Sequence, residues 1–500
     1  MANNPTEEPV IDLTDIQGNA CPGFRKATQI TAGFTILDRI AFGAFLANLR
    51  PHVTSSAEVL AYRSALRKSG SAENAIWVNI AFTAAGLRKL VLHHERSDQG
   101  AFGQGYHASA QKLGIFNERS NANSSANWLI HDGTTGENAC DGIFIIAGDD
   151  RNSTQDWMRD LFGRISGAKP AGWDKFLMPG YEVGSALEHR WGEQTAMAEH
   201  FGFRDGLATP VIRGRANLGA DSWIVQRDPD DPNRPTKHGQ ELVWPGHLIV
   251  GQAKAAEEVN GTPSKLPEFF TGGSFLVFLR LRQDVAGFHR WVDTMSRRSV
   301  EQFGGSIDAA RSSIAAGVMG RWPSGASLFS SPERDPNAVT DQNIIFPRDG
   351  DDPPGSRCPL SAHARKCRPS LDYPNPTPPL FRRGIPYGRP STSTLAAPVV
   401  DPVDRGLHFL AYMSSIEDQY ERLVSDFLTF SSAENGAVRD ALLGRLDDRD
   451  QIEVRHPLGH CEVVSTPRLQ TTWVHGTGGL YLFSPALSRI ETLYERNGSV

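Results

Sequence analysis

The sequence predicts an α+β fold built from two similar halves. Two observations carry that expectation. Stretches of β-formers running directly into helical patterns occur twice in the first part of the chain and twice in the second. Between them lies the Pro/Asp-rich segment Arg227-Asp-Pro-Asp-Asp-Pro-Asn-Arg-Pro-Thr236, a linker by composition. The boundaries that follow are a polar leader at 1–25, a first half at 26–226, a linker region at 227–265 and a second half at 266–500.

Taken in order, the leader ends in Asp15-Ile-Gln-Gly-Asn-Ala-Cys-Pro-Gly-Phe24, and Leu37, Ile40, Ala41 and Phe45 then recur at helical spacing. Ala75-Ile-Trp-Val-Asn-Ile-Ala-Phe82 is dense in β-formers and reads as a strand, with Thr83 placed to cap the helix that follows. Gly142-Ile-Phe-Ile-Ile-Ala147 is short and continuously apolar, hence a buried strand, and Asp156–Phe162 is helical after it. In the second half Gly273-Ser-Phe-Leu-Val-Phe-Leu-Arg280 leads through an Asp284 cap into a helix at Val285–Met295. Gly406-Leu-His-Phe-Leu-Ala-Tyr412 leads into a helix at Glu417–Phe427, and Gly479-Leu-Tyr-Leu-Phe483 is a last strand.

Composition narrows the function classes. A chain of 500 residues buries a core of its own, and its 39% hydrophobic and 22% charged content is that of a globular protein. The net formal charge of −6 is spread along the chain with no basic block, which argues against nucleic acid as a partner. No run of 18 or more apolar residues occurs, so no membrane-spanning helix is expected, and the N-terminus has no charged-then-apolar secretory pattern. Five scattered cysteines without a CxxC pair point to a reducing, cytoplasmic setting rather than a disulfide framework or zinc knuckle. His456-Pro-Leu-Gly-His460-Cys461 has metal-like residue types, but Pro457 and Gly459 break the helix that would align the histidines. Gly103-Gln-Gly105 lacks the third glycine and the preceding strand of a dinucleotide site.

Two stretches stand out. Gly202-Phe-Arg-Asp205-Gly206 is either a tight turn with Asp205 as its cap, or a carboxylate held where backbone closely approaches a flat ligand. His363 follows a Cys358-Pro entry inside a loop-rich region spanning Ser330–Leu380, and a loop of that length implies a function. From there the chain runs to the paired Arg382-Arg383.

In combination, GxxDG, Cys-Pro-Leu-Ser-Ala-His363-Ala-Arg-Lys and Phe-Arg382-Arg383-Gly-Ile-Pro-Tyr-Gly resemble the dye-decolorising peroxidase family of haem enzymes, in particular its longer members. Asp15-Ile-Gln-Gly-Asn, Gly273 to Asp284 and Gly320-Arg-Trp-Pro-Ser-Gly-Ala326 resemble the family as well, so the likeness runs from about residue 12 to 490. One departure is that the family's Asn-Pro-Arg after the histidine reads Arg368-Pro-Ser370 here.

The resemblance implies two ferredoxin-like modules with antiparallel β-sheets enclosing haem b. It implies a peroxidase that reduces hydrogen peroxide and oxidises phenols or anthraquinone-type dyes in one-electron steps; the alternative is a haem protein with another role, such as haem-iron handling. His363 would be the axial iron ligand. A carboxylate would hold its other nitrogen, with Asp440 matching the family's acid and Glu417 as the runner-up. On the other face Asp205 would move the peroxide proton and Arg382 would stabilise developing charge, although spacing alone would equally allow Arg383. Gly202 and Gly206 would let the backbone approach the haem, and Leu407 and Phe409 would cover it or be plain strand core. Arg365 would meet a haem propionate or be a solvated loop cation. Hydrogen peroxide and small aromatic reductants are the implied partners; monomer and homo-oligomer remain equally open.

Overall fold

A computed structural model describes residues 8–70, 75–91, 100–113, 129–132, 139–165, 180–191, 193–207, 209–216, 242–255, 258, 266–339, 352, 355–367, 380–428, 439–440, 442–443, 451–455, 461–465 and 473–495. The first half contributes β1 (Val10–Ile11), β2 (Thr28–Phe34), β3 (Trp77–Phe82), β4 (Gly142–Gly148), β5 (Gly180–Ser185), a hairpin of β6 (Leu187–Trp191) and β7 (Gln194–Ala198), and the short β8 (Val211–Ile212) and β9 (Arg215–Ala216). After β10 (Leu242–Val243) come β11 (Ser274–Gln283), β12 (Phe381–Arg382), β13 (Ile385–Tyr387), β14 (Gly406–Met413), β15 (Gln451–Arg455), β16 (Cys461–Ser465) and β17 (Val474–Ser484).

Each half builds an antiparallel sheet: β3-β4-β2-β5 in the first and β17-β11-β14 with β13 and β12 in the second. The two meet at β3–β17 and at β5–β13, and because β11 pairs with both β17 and β14 the strand order closes into a barrel. Both junctions are thin, with one described pair each, Phe483↔Phe82 and Tyr387↔Gly184. Side chains strengthen them. At the first, Gln17 donates to the carbonyls of Ile80 (3.0 Å) and Pro485 (2.8 Å) and accepts from the Ile80 amide (2.9 Å). At the second, Glu182 of β5 accepts from Arg280 and His408 of the other half at 2.6–2.8 Å.

Strand alternation sorts the core into two layers. Ile143, Ile145, Leu276, Phe278, Leu410, Tyr412, Leu480 and Leu482 form one cluster, and it is completed by Ile11, Leu13, Ile16, Ala20, Cys21 and Phe24. The stretch read as a leader is thus, from residue 8 onward, packed into the barrel. The residues between them, such as Ile30, Phe34, Phe82, Phe144, Val277, Ala411 and Met413, face outward under helices α1 (Arg39–Leu49), α3 (Ala84–Leu90), α5 (Arg151–Ile165) and α9 (Leu487–Glu495). Each fully buried Leu, Ile or Phe contributes about 1.5–3 kcal/mol, so these two layers dominate the fold.

Local signals behave as physics dictates. Thr83 accepts from the Gly86 amide (3.1 Å) to start α3, and Asp284 accepts from Gly287 (2.9 Å) to start α6 (Val285–Phe303), a longer helix than expected. In α1 the buried side is Phe42, Phe45, Leu46 and Leu49, whereas Leu37 and Ile40 are exposed, so the expected face is displaced. The segment expected as a helix at Glu417–Phe427 forms two wide-turned π-helical runs, Ile416–Glu421 and Leu423–Leu428. The linker Arg227–Thr236, His456–His460 and Arg368–Ser370 lie outside the described residues. No helix of the described residues is long and apolar enough to cross a membrane.

Candidate active site

His363 opens the one-turn helix α8 (His363–Lys366), and the loop before it is tied down by a buried carboxylate. Asp352 accepts from the amides of Arg357 (3.2 Å) and Cys358 (3.0 Å) and pairs with Arg365 Nη1 at 3.3 Å. Arg365 also donates to the carbonyls of Cys358 (2.7 Å) and Asp352 (2.8 Å). It is 8% exposed, so it is a buried strut of the loop and not a solvated cation. Cys358 is buried too, and that burial pushes its thiol up to about 12. Gly320, at φ 81°, closes the far side: a Cβ there would come within 3.2–3.5 Å of Ala362, Ala364 and the Cys358 sulfur.

The structure brings Asp440 to His363. Nδ1 and Oδ2 are 2.8 Å apart, and Asp440 is fully buried. The second carboxylate oxygen accepts from the amides of Leu442 (2.8 Å) and Leu443 (2.7 Å). An ionised carboxylate only accepts, so the pairing places a ring proton on Nδ1 and leaves Nε2 as the nitrogen that offers a lone pair once its own proton is lost. Burial works against a charged ring, but Cys367 and Asp440 beside it hold the imidazole well above the ordinary histidine value. The Cys367 sulfur lies 3.5 Å from Nε2 and 3.7 Å from Nδ1, over the ring face rather than in its plane. Glu417 is elsewhere: its Oε1 accepts from the Ala101 amide at 2.5 Å, at the start of α4 (Gly100–Lys112).

The GxxDG stretch forms the end of a hairpin on β7. Ala198 pairs with Arg204, the Asp205 amide donates to Met197 (2.9 Å) and the Arg204 amide to Pro323 (2.9 Å). Gly202 (φ 96°) and Gly206 (φ 75°) are left-handed, and a Cβ on either would meet nothing within 4 Å, so backbone conformation rather than crowding selects glycine. The amides at the start of the turn are not capped by Asp205. Glu199 does this, accepting from Phe201 and Phe203 at 2.9 Å each. Burial pushes the Glu199 carboxyl up to about 7, the amide donors pull it back, and the neighbouring Asp205 charge adds to the rise. Asp205 Oδ1 accepts from its own neighbour Gly206 (2.6 Å), and Oδ2 has no partner among the described residues.

The arginine pair divides by partner. Arg383 turns inward to the carbonyls of Asn19 and Ala20 at 3.0 Å each, and burial brings it down to about 10. Arg382 is exposed and donates to the Leu207 carbonyl (3.1 Å), two residues beyond Asp205. Its strand β12 pairs with β14 through Arg382↔Ala411, and β14 presents Leu407 and Phe409, both only partly buried, on the outward face. Behind them, on the inward face, His408 meets Glu182.

These surroundings fit a haem: an imidazole with its Nδ1 engaged, partly exposed Leu407 and Phe409 on the strand paired with that of Arg382, and an Asp205 oxygen without a partner among the described residues. Glu199 and Cys367 escaped the sequence reading. Cys367 was accessible as the i+4 neighbour of His363 on a helix; Glu199 had only its position three residues before Gly202.

The chain is similar to known proteins over nearly its whole length. The family described as the DyP dimeric alpha+beta barrel domain matches residues 15–166. Peroxidase 2 of Mycetinis scorodonius is 26% identical over 96% of this chain and 87% of its own. The dye-decolorizing peroxidase AauDyP1 of Auricularia auricula-judae is 28% identical over 96% and 86%. Among solved structures, an ancestral D-type dye decolorizing peroxidase superposes with a TM-score of 0.77 at 26% identity, covering 97% of this chain and 99% of that one. A dye-decolorizing peroxidase in complex with 2,6-dimethoxyphenol superposes with a TM-score of 0.74 at 25% identity, covering 97% and 100%.

Proposed function

This chain belongs to the dye-decolorising peroxidase family, haem-dependent enzymes that consume hydrogen peroxide, and from that premise we propose how its own residues carry the reaction. The observation that supports the assignment is the 2.8 Å contact between His363 Nδ1 and the buried Asp440, which engages Nδ1 so that Nε2 would hold the haem iron. When bound, the haem supplies the redox equivalents for reducing peroxide and oxidising the reductant. With no CxxC anywhere in the chain for thioether attachment, we assign haem b.

Asp205 Oδ2 would take the proton from one oxygen of hydrogen peroxide and return it to the other, so that the O–O bond breaks and water leaves with the two electrons that a bound haem would supply. Arg382 holds its planar fork toward the charge that develops as the O–O bond breaks. Leu407 and Phe409 exclude water from that step. Gly202 and Gly206 hold the turn that aims Asp205, and Arg365 acts on the cofactor through the loop carrying His363. Small phenols such as 2,6-dimethoxyphenol and anthraquinone-type dyes are the reducing substrates. The chain divides at 227–265 into halves that both contribute to the site: Asp205 comes from the first, and His363, Arg382, Leu407 and Phe409 from the second. Four described free thiols suit a reducing, cytoplasmic setting.

The test is spectroscopic and kinetic. Purified protein shows a Soret band and peroxide-dependent oxidation of 2,6-dimethoxyphenol, and His363→Ala loses both. Normal haem retention and turnover in His363→Ala would overturn the ligand assignment.

A further inference from the structure

A GxxDG turn has amide groups to satisfy, and an aspartate inside it ordinarily does so. Here the task falls to a residue outside the motif. Glu199 Oε1 accepts from Phe203 and Oε2 from Phe201, while Gln283 at the end of β11 donates its side-chain amide to Oε2 at 2.6 Å. The backbone closes the same loop, with the Glu199 amide donating to Phe203 (2.9 Å) and the Gly202 amide to Glu199 (3.0 Å). His289 of α6 meets the Phe201 carbonyl at 3.3 Å from the other side.

We propose that Glu199 is the positioning residue of the distal loop: it takes the turn's amides so that Asp205 keeps an oxygen free for the peroxide proton. The chemistry requires a carboxylate. Three N–H donors converge on it and favour its ionised form against the burial that pushes its carboxyl up, whereas a glutamine would turn one N–H against another. Gln283 extends the hold, because its own amide donates to the Arg405 carbonyl (2.9 Å) at the rim of the second-half sheet. The loop from the first half is thereby registered against β11, the strand beside β14 with its Leu407 and Phe409.

This inference rests on the role given to Asp205 above, and the experiment separates the two. Amide hydrogen exchange at Phe201 and Phe203 is measured in Glu199→Ala and Glu199→Gln, together with the rate constant for peroxide consumption in each, in Asp205→Asn and in the Glu199→Ala/Asp205→Asn double variant. Glu199→Ala exchanges both amides about tenfold faster or more. It consumes peroxide at least about tenfold more slowly, within the range of a misaligned general base, with an unchanged Soret band and unchanged KM for the reducing substrate. Glu199→Gln, which keeps one acceptor, recovers part of both losses. In the Asp205→Asn background Glu199→Ala costs nothing further, because it acts through Asp205. Additive losses, or fast exchange with a normal peroxide rate, overturn the inference alone. A full-rate Asp205→Asn enzyme overturns the Asp205 reading with it. Should Glu199→Ala fail to fold, Glu199→Gln and Gln283→Ala carry the same exchange and rate tests.

Discussion

His363 and Asp205 are held in opposite ways. The imidazole is locked from behind: Asp440 is fully buried, one of its oxygens takes the ring proton and the other takes two backbone amides. Asp205 sits on a partly buried loop held by a different acid, with one oxygen uncommitted among the described residues. If His363 holds haem iron as proposed, its orientation is set in advance by a satisfied buried carboxylate. A group that takes up and releases a proton within one turnover needs free lone pairs, so the burden of holding its loop is placed on a neighbour. In the proposed site the His363 side is thus preset by its own hydrogen bonds, and the Asp205 side keeps an acceptor for substrate.

The largest effect tests the Asp205 side. Asp205→Asn keeps shape and loop but removes the base, and is expected to slow reaction with peroxide about 10²–10⁴-fold while the Soret band is unchanged. Stopped-flow mixing with peroxide reads this directly, and an undiminished rate would break the contrast by moving proton transfer to another group. Next comes Arg382→Leu, which removes a charged donor and its contact to the Leu207 carbonyl. A loss of about 10²–10³ in kcat is expected, with no comparable loss in Arg383→Leu, as there would be if the two arginines were interchangeable. Arg383→Leu instead uncouples Asn19 and Ala20 from the barrel and shows first in thermal stability. On the His363 side, Asp440→Ala leaves Nδ1 without its acceptor and is expected to weaken haem retention about 10–100-fold, read by transfer of haem to a competing apoprotein. Equal retention would mean that the lock on His363 is supplied by α8 alone.

Much of the scaffold was legible because its signals are local. β3 with its Thr83 cap and β11 with Asp284 announce themselves within about ten residues, as β-formers followed by a side-chain oxygen placed for the N3 amide. What escaped was non-local. Residues 8–25 read as a polar leader because Gln17, Asn19 and Asp15 are polar, yet Gln17 and Asn19 are buried and their side chains meet Ile80, Pro485 and Tyr412, with the Asn19 amide on Asn79, all far along the chain. The partner of His363 lies 77 residues away, and only resemblance separated Asp440 from Glu417. The face of α1 was displaced because apolar residues lie on several of its sides, and contact with the sheet, not period, chooses among them. Glu199 belongs to no spacing rule; its role exists only once the hairpin has folded back.

The smallest effect concerns the frame that keeps the two faces in register. Since β5 and β13 share a single described pair, Glu182 holds that junction through Arg280 and His408, with Arg280 also 4.1 Å over the Tyr387 ring and paired to Asp404 at 2.6 Å. Burial raises the Glu182 carboxyl, but the hydrogen bonds and charges of His408 and Arg280 outweigh it and bring it from 4.5 to about 2. A carboxylate depressed on folding stabilises the protein above its unfolded value and loses that contribution as pH falls through its folded one. Glu182→Gln is therefore expected to lower Tm by a few degrees, on the order of 2–4 °C at neutral pH given partial exposure of the pair, with the deficit shrinking from about pH 4.5 downward. Because the junction lies on the inward face of β14, opposite Leu407 and Phe409, haem retention should stay normal while the peroxide rate falls modestly as the first-half loop loosens against the second. A deficit that is constant with pH would show that the junction is held by the strand pair and not by charge. A loss of haem without a change in Tm would place Glu182 with the His363 face instead of between the two.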